Sequence, residues 1–410
     1  MKTHRYGHSV SLERYRVGPL SPYIDAFATL LLQAQYAPNN IRHLIRVVTD
    51  LSLWLQRCRT DVSRLDERTL ARFLKARQRY DPVRRGDAAA VRKMLELLRE
   101  QGVAQTVRPR KDSRACHPTE EDFERFLRQE RRLSLASVLN IMPFVREFLD
   151  ERFSSGHVAL KELRAADVTG FALRRAGRLG PKRAGIMVWA LRSFFRFLRL
   201  RGLTDTDLAG AVPTVPQRRW SSLPKFIDAD KVEQLIKSCD RHTATGRRDH
   251  AILLLLARLG LRSGEVAALS LEDIDWQTGV ICVRGKGSRI DRLPLPEDVG
   301  RALVAYLRRG RPRCATRRVF LTTRAPVGPF TGQSSVGCIV TRAVKRVGLD
   351  PAHKGAHLLR HSLATGMLRR GASLAEIGEL LRHRHPDTTV IYAKVDIDAL
   401  RVLAQPWPEE

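Results

Sequence analysis

The sequence has no long apolar run, no paired cysteines and a shortage of acidic residues. Its longest apolar stretch, from Ala251 to Ala257, is much shorter than the run of about eighteen residues that crosses a membrane. The six cysteines are scattered without a Cys-x-x-Cys pair, which argues against a disulfide framework or a cysteine zinc site. No GxxxxGK[ST] phosphate-binding loop occurs. Because no apolar stretch follows the N-terminal MKTHRYGHSV, we expect a cytoplasmic protein without a signal peptide.

Basic residues, in contrast, are in large excess. The chain has 73 Lys and Arg against 43 Asp and Glu, a formal net charge of +30. A compact protein with this excess repels itself unless a polyanion binds it, so nucleic acid is the expected partner. An anionic membrane surface is the alternative, although no membrane-spanning run supports it. With 410 residues, of which 43% are hydrophobic, the chain should form two or three globular domains.

Two stretches, at about 20–103 and 119–203, resemble each other and indicate an internal repeat. LDERTLARFL, from Leu65, corresponds to LRAADVTGFAL, from Leu163. VRKMLELLREQG and LRSFFRFLRLRG then end at glycines that are expected to terminate the last helix of each copy. Each copy therefore predicts a small helical bundle, although two amphipathic bundles could also align by chance.

Two basic connectors, RPRKDSRACHP and GAVPTVPQRRWSSLPK, separate these stretches from each other and from the rest. They could cross a DNA backbone or be solvated hinges. The predicted fold is mainly α with a small antiparallel β-sheet. Its predicted parts are a helical segment, a second helical segment, a linker, an α+β domain and a tail, at 1–112, 113–209, 210–227, 228–394 and 395–410.

In the α+β domain, DADKVEQLIKSC predicts a helix capped by Asp228, and HAILLLLARLG predicts a buried helix that ends at Gly260. GVICVRGKGSRIDRLPLP alternates as two short strands around a Gly-Lys-Gly turn, which indicates a β-hairpin. A further helix is predicted from Glu297 to Arg308.

Four local patterns in this domain carry residues suited to phosphate chemistry. GLRSGEVAAL predicts Arg262 and Glu265 on one helical face. VRGKGSR places Lys286 at the hairpin turn. HLLRH spaces His357 and Arg360 by one helical turn, and LLRHRHPDTTVIY places His383 nine residues before Tyr392.

Together these patterns resemble the tyrosine recombinase (phage integrase) family, in which such residues occur in this order. The resemblance extends from about residue 119 to the C-terminus. It implies a helical, SAM-like core-binding domain at 113–209 and a catalytic domain at 228–394. The first segment would be a duplicated core-binding bundle or an arm-type DNA-binding bundle. Where the family usually has glycine, before His383, this sequence has Arg382, which adds charge beside the site and could alter the local turn.

The resemblance implies a nucleophilic tyrosine and side chains that stabilise the attacked phosphate. Guanidinium forks hold nonbridging oxygens bidentately, and a tyrosine hydroxyl with a pKa of about 10 needs a proton acceptor. No metal or cofactor is then required, because side chains supply the positive charge. Tyr392 is the expected nucleophile, His357 its general base and Lys286 the general acid for the leaving oxygen. Arg262 and Arg360 are expected to clamp the phosphate, and His383 to hydrogen-bond it. Glu265 is expected to support the site without reacting.

Simpler interpretations exist for several of these residues. Lys286 shares its hairpin with three arginines, and Tyr392 could be an ordinary half-buried tyrosine. Tyr306, the other tyrosine of this domain, is expected in the core. HLLRH lacks the glutamate of an HExxH zinc site.

The expected function is site-specific DNA recombination that serves integration, excision or transposition of a mobile element. The expected partners are double-stranded DNA in the nucleoid, further copies in a tetramer, and other recombinases of the same element. The tail could dock on a neighbouring subunit or on its own domain. A type IB-like topoisomerase, a DNA-binding relative without catalysis and a chromosome-dimer resolvase are the alternatives.

Overall fold

Helices make up most of the structure, a computed structural model. It describes residues 12–82, 84, 86–104, 118–153, 159–214, 225–285, 290–351, 355–383, 385 and 387–395. A three-stranded antiparallel sheet accompanies the helices, which confirms the predicted fold class. By contacts the chain divides into two units, one at 107–221 and the other combining 1–106 with 222–410. Within the described ranges, none of the helices combines the length and apolarity of a membrane span.

Four helices form the first bundle: α1 Ile24–Gln33, α2 Pro38–Arg57, α3 Glu67–Arg77 and α4 Asp87–Glu100. Pro38 occupies the first turn of α2, where its missing N–H costs nothing. Asp66 caps α3, since its Oδ1 accepts a hydrogen bond from the Thr69 amide at 2.8 Å. Apolar residues of all four helices share one core.

An ion-pair network is buried beside that core. Arg77 is 2% exposed and donates from Nη1 to Asp87 Oδ2 at 2.7 Å. Asp87 is fully buried, and its other oxygen lies 2.8 Å from Nε2 of His43. Because both charges are shielded from water, the pair is far more sensitive to the loss of one partner than a surface pair.

Four helices also form the second bundle: α5 Pro118–Arg125, α6 Leu135–Arg152, α7 Ala165–Ala176 and α8 Pro181–Leu200. A π-helical turn, Phe126–Glu130, continues α5. The core is rich in phenylalanine, with Phe148 edge-on to Phe171 and Phe195 at ring-centroid distances of 5.3 and 5.2 Å.

The two bundles have the same order of elements, as the predicted repeat requires. A 3₁₀ turn precedes the third helix in each, at Val62–Arg64 and Leu160–Glu162. The fourth helix of each ends two residues before a glycine, Gly102 or Gly202, with φ of +72° or +67°. These left-handed residues close the helix ends as predicted.

The remaining helices belong to the C-terminal segment, which also holds the sheet. They are α9 Ala229–Lys237, α10 Ala244–Arg258, α11 Ser263–Ala268, α12 Glu297–Arg309, α13 Gln333–Arg346, α14 Ala356–Leu368, α15 Leu374–Leu380 and α16 Asp387–Val390, with a 3₁₀ turn at Ile391–Val395. Helix α10 is the centre of the core and is buried on nearly every side. It ends two residues before the predicted Gly260. Asp228 precedes α9 as predicted, but its side chain binds Arg369 at 3.1 Å and does not cap the helix.

The predicted hairpin is present as β2 Val280–Arg284 and β3 Ile290–Pro294, paired antiparallel with Arg284 opposite Ile290. A short strand that was not predicted, β1 Ile274–Asp275, pairs with β2 on its other side. Residues 286–289, including Lys286, lie outside the described residues, as does the tail from 396 onward.

Candidate active site

Arg360 lies at the centre of the site, on α14, and is 4% exposed. Its two terminal nitrogens donate to the backbone carbonyls of Gly260 and Leu381. Burial, together with the charges of Arg262 and Arg382, lowers the pKa of Arg360 to about 10. The guanidinium is therefore still charged at neutral pH, and its fork is held rigidly by the ends of α10 and α15.

Gly260 is required for this arrangement. Its φ is +56°, and a Cβ at this position would lie 2.7 Å from Cδ2 of Leu381 and 3.8 Å from Cγ of Arg360. A side chain would therefore push against the helix end that orients Arg360, and glycine alone avoids both the strain and the collision.

The sequence pattern predicted Arg262 and Glu265 on one helical face, and this was wrong. Arg262 is the residue immediately before α11 and has an extended conformation. Glu265 nevertheless contacts it, because its Oε2 accepts from the Arg262 amide at 2.8 Å and its Oε1 pairs with Arg262 Nη1 at 2.7 Å. The helix-capping carboxylate thus also orients the arginine. Burial alone would raise the pKa of Glu265, but the amide hydrogen bond and the charges of Arg382 and Arg262 outweigh it and lower the pKa.

Arg382 adopts the left-handed conformation at the end of α15, with φ of +57°. The amides of Arg382 and His383 donate to the carbonyls of Glu379 and Gly378, both at 2.9 Å. This is the helix-ending motif in which glycine is favoured, and a side chain there costs about 1 kcal/mol. The arginine points inward and is 8% exposed.

Tyr392 is 1% exposed, and its hydroxyl lies 3.0 Å from Nδ1 of His361. Burial raises the pKa of Tyr392, and the positive charge of Arg360 partly offsets this. His357, one helical turn before His361, is exposed, and the two imidazole centroids are 6.4 Å apart. Of these two histidines, His361 is the one in contact with the tyrosine hydroxyl, whereas the sequence led us to expect His357.

His383 is a second imidazole beside Tyr392, with the two rings parallel within 3° and their centroids 6.5 Å apart. Its Nδ1 is 2.7 Å from Oγ1 of Thr389, which is 3% exposed. Burial and the charges of Arg360 and Arg262 lower the pKa of His383 to about 4. The imidazole is therefore neutral at physiological pH and can offer one donor and one acceptor.

Four of the six residues predicted to react are brought together with Glu265: Arg262, Arg360, His383 and Tyr392. His357 lies one turn away on α14, beside His361, and Lys286 lies outside the described residues. Tyr306, expected in the core, is fully buried, stacks on Phe320 and accepts a hydrogen bond from the Leu321 amide at 3.2 Å. The sequence predicted neither the contacts of His361 and Thr389 with Tyr392 and His383 nor the burial of Arg382. The sequence features that could have pointed to these residues are the second histidine of HLLRH, the arginine in place of glycine at 382 and the second threonine of DTTVIY.

The chain can be compared with known proteins. A model described as the Phage integrase family matches residues 225–398. The predicted integrase/recombinase y4rA of Sinorhizobium fredii is 46% identical over 401 residues, covering 98% of this chain and 97% of that protein. Tyrosine recombinase XerD of Mycobacterium tuberculosis is 35% identical over 271 residues, 62% of this chain and 84% of that protein. A solved structure of the XerH site-specific recombinase, bound to palindromic difH substrate after cleavage, has a TM-score of 0.57 at 21% identity, covering 71% of this chain and 85% of that one.

The helical bundles, the small sheet and the cluster of arginines, histidines and a tyrosine therefore occur in a chain whose relatives are enzymes that recombine DNA. The chain belongs to the phage integrase family and is a tyrosine recombinase.

Proposed function

We propose that this recombinase cuts DNA through Tyr392, forms a 3′-phosphotyrosyl intermediate, and serves integration, excision or transposition of a mobile element. The observation that carries the proposal is the convergence on Tyr392 of one buried guanidinium and two imidazoles, from Arg360, His361 and His383. Such a set can both activate a hydroxyl and stabilise the negative charge of an attacked phosphate.

The arginines supply the positive charge of the reaction. The side chain of Arg262 is 39% exposed, so it can reach a phosphate. Arg360 is 4% exposed, and the carbonyls of Gly260 and Leu381 fix its guanidinium. Together they stabilise the two nonbridging oxygens as charge develops in the transition state. We expect no metal to be needed, because these guanidiniums take the place of a divalent ion.

The histidines bind and accept the proton of the Tyr392 hydroxyl. In the resting arrangement His361 holds the Tyr392 hydroxyl, and the nearly complete burial of Tyr392 means that its segment must shift to meet a phosphate. His357, exposed one turn earlier, stays the base predicted from the sequence. His383, neutral at physiological pH, is suited to a hydrogen bond with the phosphate, and Lys286 to protonation of the leaving 5′-oxygen.

DNA is the proposed substrate, and the net charge of +30 supports it. Strand exchange between two duplexes requires four active sites, hence the proposed tetramer, in which the tail could link neighbouring subunits. The likeness to y4rA extends over nearly the whole chain, whereas that to XerD covers 62% of it. Because y4rA bears the name of an integrase/recombinase, this nearly full-length likeness supports integration over chromosome-dimer resolution or the relaxation of supercoils by a type IB-like topoisomerase.

The test uses nicked suicide duplexes tiled across the DNA that flanks the gene, with wild type, Tyr392→Phe and Tyr306→Phe. Tyr306 is the matched control, because it is an equally buried tyrosine of the same domain. We expect a covalent protein–DNA adduct with wild type and Tyr306→Phe, with or without EDTA, and none with Tyr392→Phe. An adduct that survives Tyr392→Phe would exclude this nucleophile, and one abolished by EDTA would exclude the metal-free reaction.

A further inference from the structure

We infer that Arg382 is a positioning residue for DNA cleavage: its buried guanidinium shares the carboxylate of Glu265 with Arg262 and so orients the exposed arginine of the clamp. The inference rests on the proposed function, since it concerns the rate of the cleavage step. In the part of the chain that the structure describes, no contact joins Arg382 to the nucleophile Tyr392, and its effect on the reaction passes through Arg262.

The contacts of Arg382 join three separate elements. Its Nη2 pairs with Oε2 of Glu265, on α11, at 2.9 Å. Its Nε lies 3.8 Å from Oδ2 of Asp291, on β3. Its own backbone carbonyl, at the end of α15, lies 3.4 Å from the donating Nη2 of Arg262. The side chain therefore connects the arginine clamp, the hairpin and the turn that carries His383.

The carboxylate of Glu265 is fully engaged by two cations. Oε1 accepts from the Arg262 side chain, while Oε2 accepts from both the Arg262 amide and Arg382. The side chains of Glu265 and Arg382 are 5% and 4% exposed, so water cannot readily replace either partner. If Arg382 were removed, Arg262 would be the remaining cation on a buried carboxylate, and the existing pair would hold it more tightly, at the expense of its contact with the phosphate.

The backbone conformation gives a second reason to assign a specific role to the side chain of Arg382. Arg382 holds a left-handed conformation that glycine adopts without strain. In the described part of the chain, Nε of Arg382 is buried without a hydrogen-bond acceptor. The strained backbone and the unsatisfied donor both cost free energy that glycine would avoid. We attribute the compensating contribution to the ion pair that Arg382 and Arg262 share on Glu265.

The test is single-turnover cleavage of a suicide duplex that wild type cleaves, at saturating protein. The amplitude of adduct formation reports the folded fraction, whereas the rate constant reports the orientation of the clamp. The variants are Arg382→Met, which keeps bulk without charge, Arg382→Lys, which keeps charge, and Arg382→Gly, which keeps the turn. The matched control is Arg248→Met, because Arg248 is also buried, pairs with Asp249 at 2.7 Å and donates to the Leu321 carbonyl at 3.0 Å.

We expect the rate constant to fall about 10- to 100-fold in Arg382→Met and Arg382→Gly, as for a displacement of a reacting group by a fraction of an ångström. Arg382→Lys should recover the rate constant to within about fivefold, since it restores a cation beside Glu265. Arg248→Met should lower amplitude and melting temperature but leave the rate constant unchanged. If Arg382→Met does not fold, the rate constant of Arg382→Gly still tests the inference, because glycine fits the left-handed turn.

A wild-type rate constant in Arg382→Gly, or an equal loss in Arg248→Met, would overturn the inference while leaving the proposed function intact. If wild type forms no adduct on any duplex, the proposed function fails, and this inference fails with it.

Discussion

Replacement of Gly260 by alanine should destabilise the C-terminal domain and slow cleavage together. The φ of +56° costs a residue with a Cβ about 1–2 kcal/mol. The new methyl group would lie 2.7 Å from Cδ2 of Leu381 and 3.2 Å from Cδ2 of Leu363. Leu381 is fully buried, so it has little room to move, and overpacking of this kind costs about 1–3 kcal/mol. The expected loss in the free energy of unfolding is about 2–5 kcal/mol.

Gly348 provides the matched control in the same domain. Its φ is +69°, and no heavy atom of the described part of the chain lies within 4 Å of a Cβ built there. Gly348→Ala should therefore lose only the conformational term, about 1–2 kcal/mol. At about 2–4 °C per kcal/mol, Gly260→Ala should melt about 2–12 °C below Gly348→Ala in thermal unfolding followed by circular dichroism.

The two variants should also differ in cleavage. The Gly260 carbonyl accepts a hydrogen bond from Arg360, so a shift of this backbone moves the clamp. Gly348 instead closes the end of α13, where its amide donates to the Lys345 carbonyl at 3.2 Å. Equal melting temperatures and equal cleavage rates for the two variants would refute the argument from close packing.

Two further predictions concern pH and the N-terminal bundle. The pKa of His383 is about 4 in the folded chain and about 6.5 when unfolded, so stability should fall as pH drops from about 6.5 to about 4. His383→Gln should flatten that slope in urea titrations, and an unchanged slope would contradict the assigned pKa. Asp87→Asn should cost about 1–3 kcal/mol, because Arg77 loses a fully buried carboxylate but keeps its pairs with Asp50 and Asp81. The control is Asp25, whose exposed side chain pairs with Arg16 at 2.9 Å. Asp25→Asn should cost about 1 kcal/mol or less, and equal losses for the two variants would show that burial does not strengthen the Asp87 pair.

Much of the fold followed from local patterns. The glycines at 102 and 202, the hairpin strands and the helix at α12 were predictable because periodicity and turn chemistry act over a few residues. Strand β1 was missed because two residues carry no alternation, and the helical face expected for Arg262 was wrong because helix α11 begins one residue after it.

The candidate site was predictable as a set of residues but not as a set of contacts. Spacing places His357 and His361 on the same face of α14, yet it cannot tell which of them meets a tyrosine 31 residues further along. The burial of Arg382 likewise depends on Glu265, 117 residues earlier. Such pairings arise from the packing of distant elements, which local spacing does not encode.

The most direct measurement is the chemical identity of the protein–DNA link. Adduct from a suicide duplex would be digested with protease and nuclease, and the joined peptide and nucleotide identified by mass spectrometry. We expect a 3′-phosphate attached to the peptide that contains Tyr392, at its phenolic oxygen. Attachment through a 5′-phosphate, or at a neighbouring group such as His361, would contradict it.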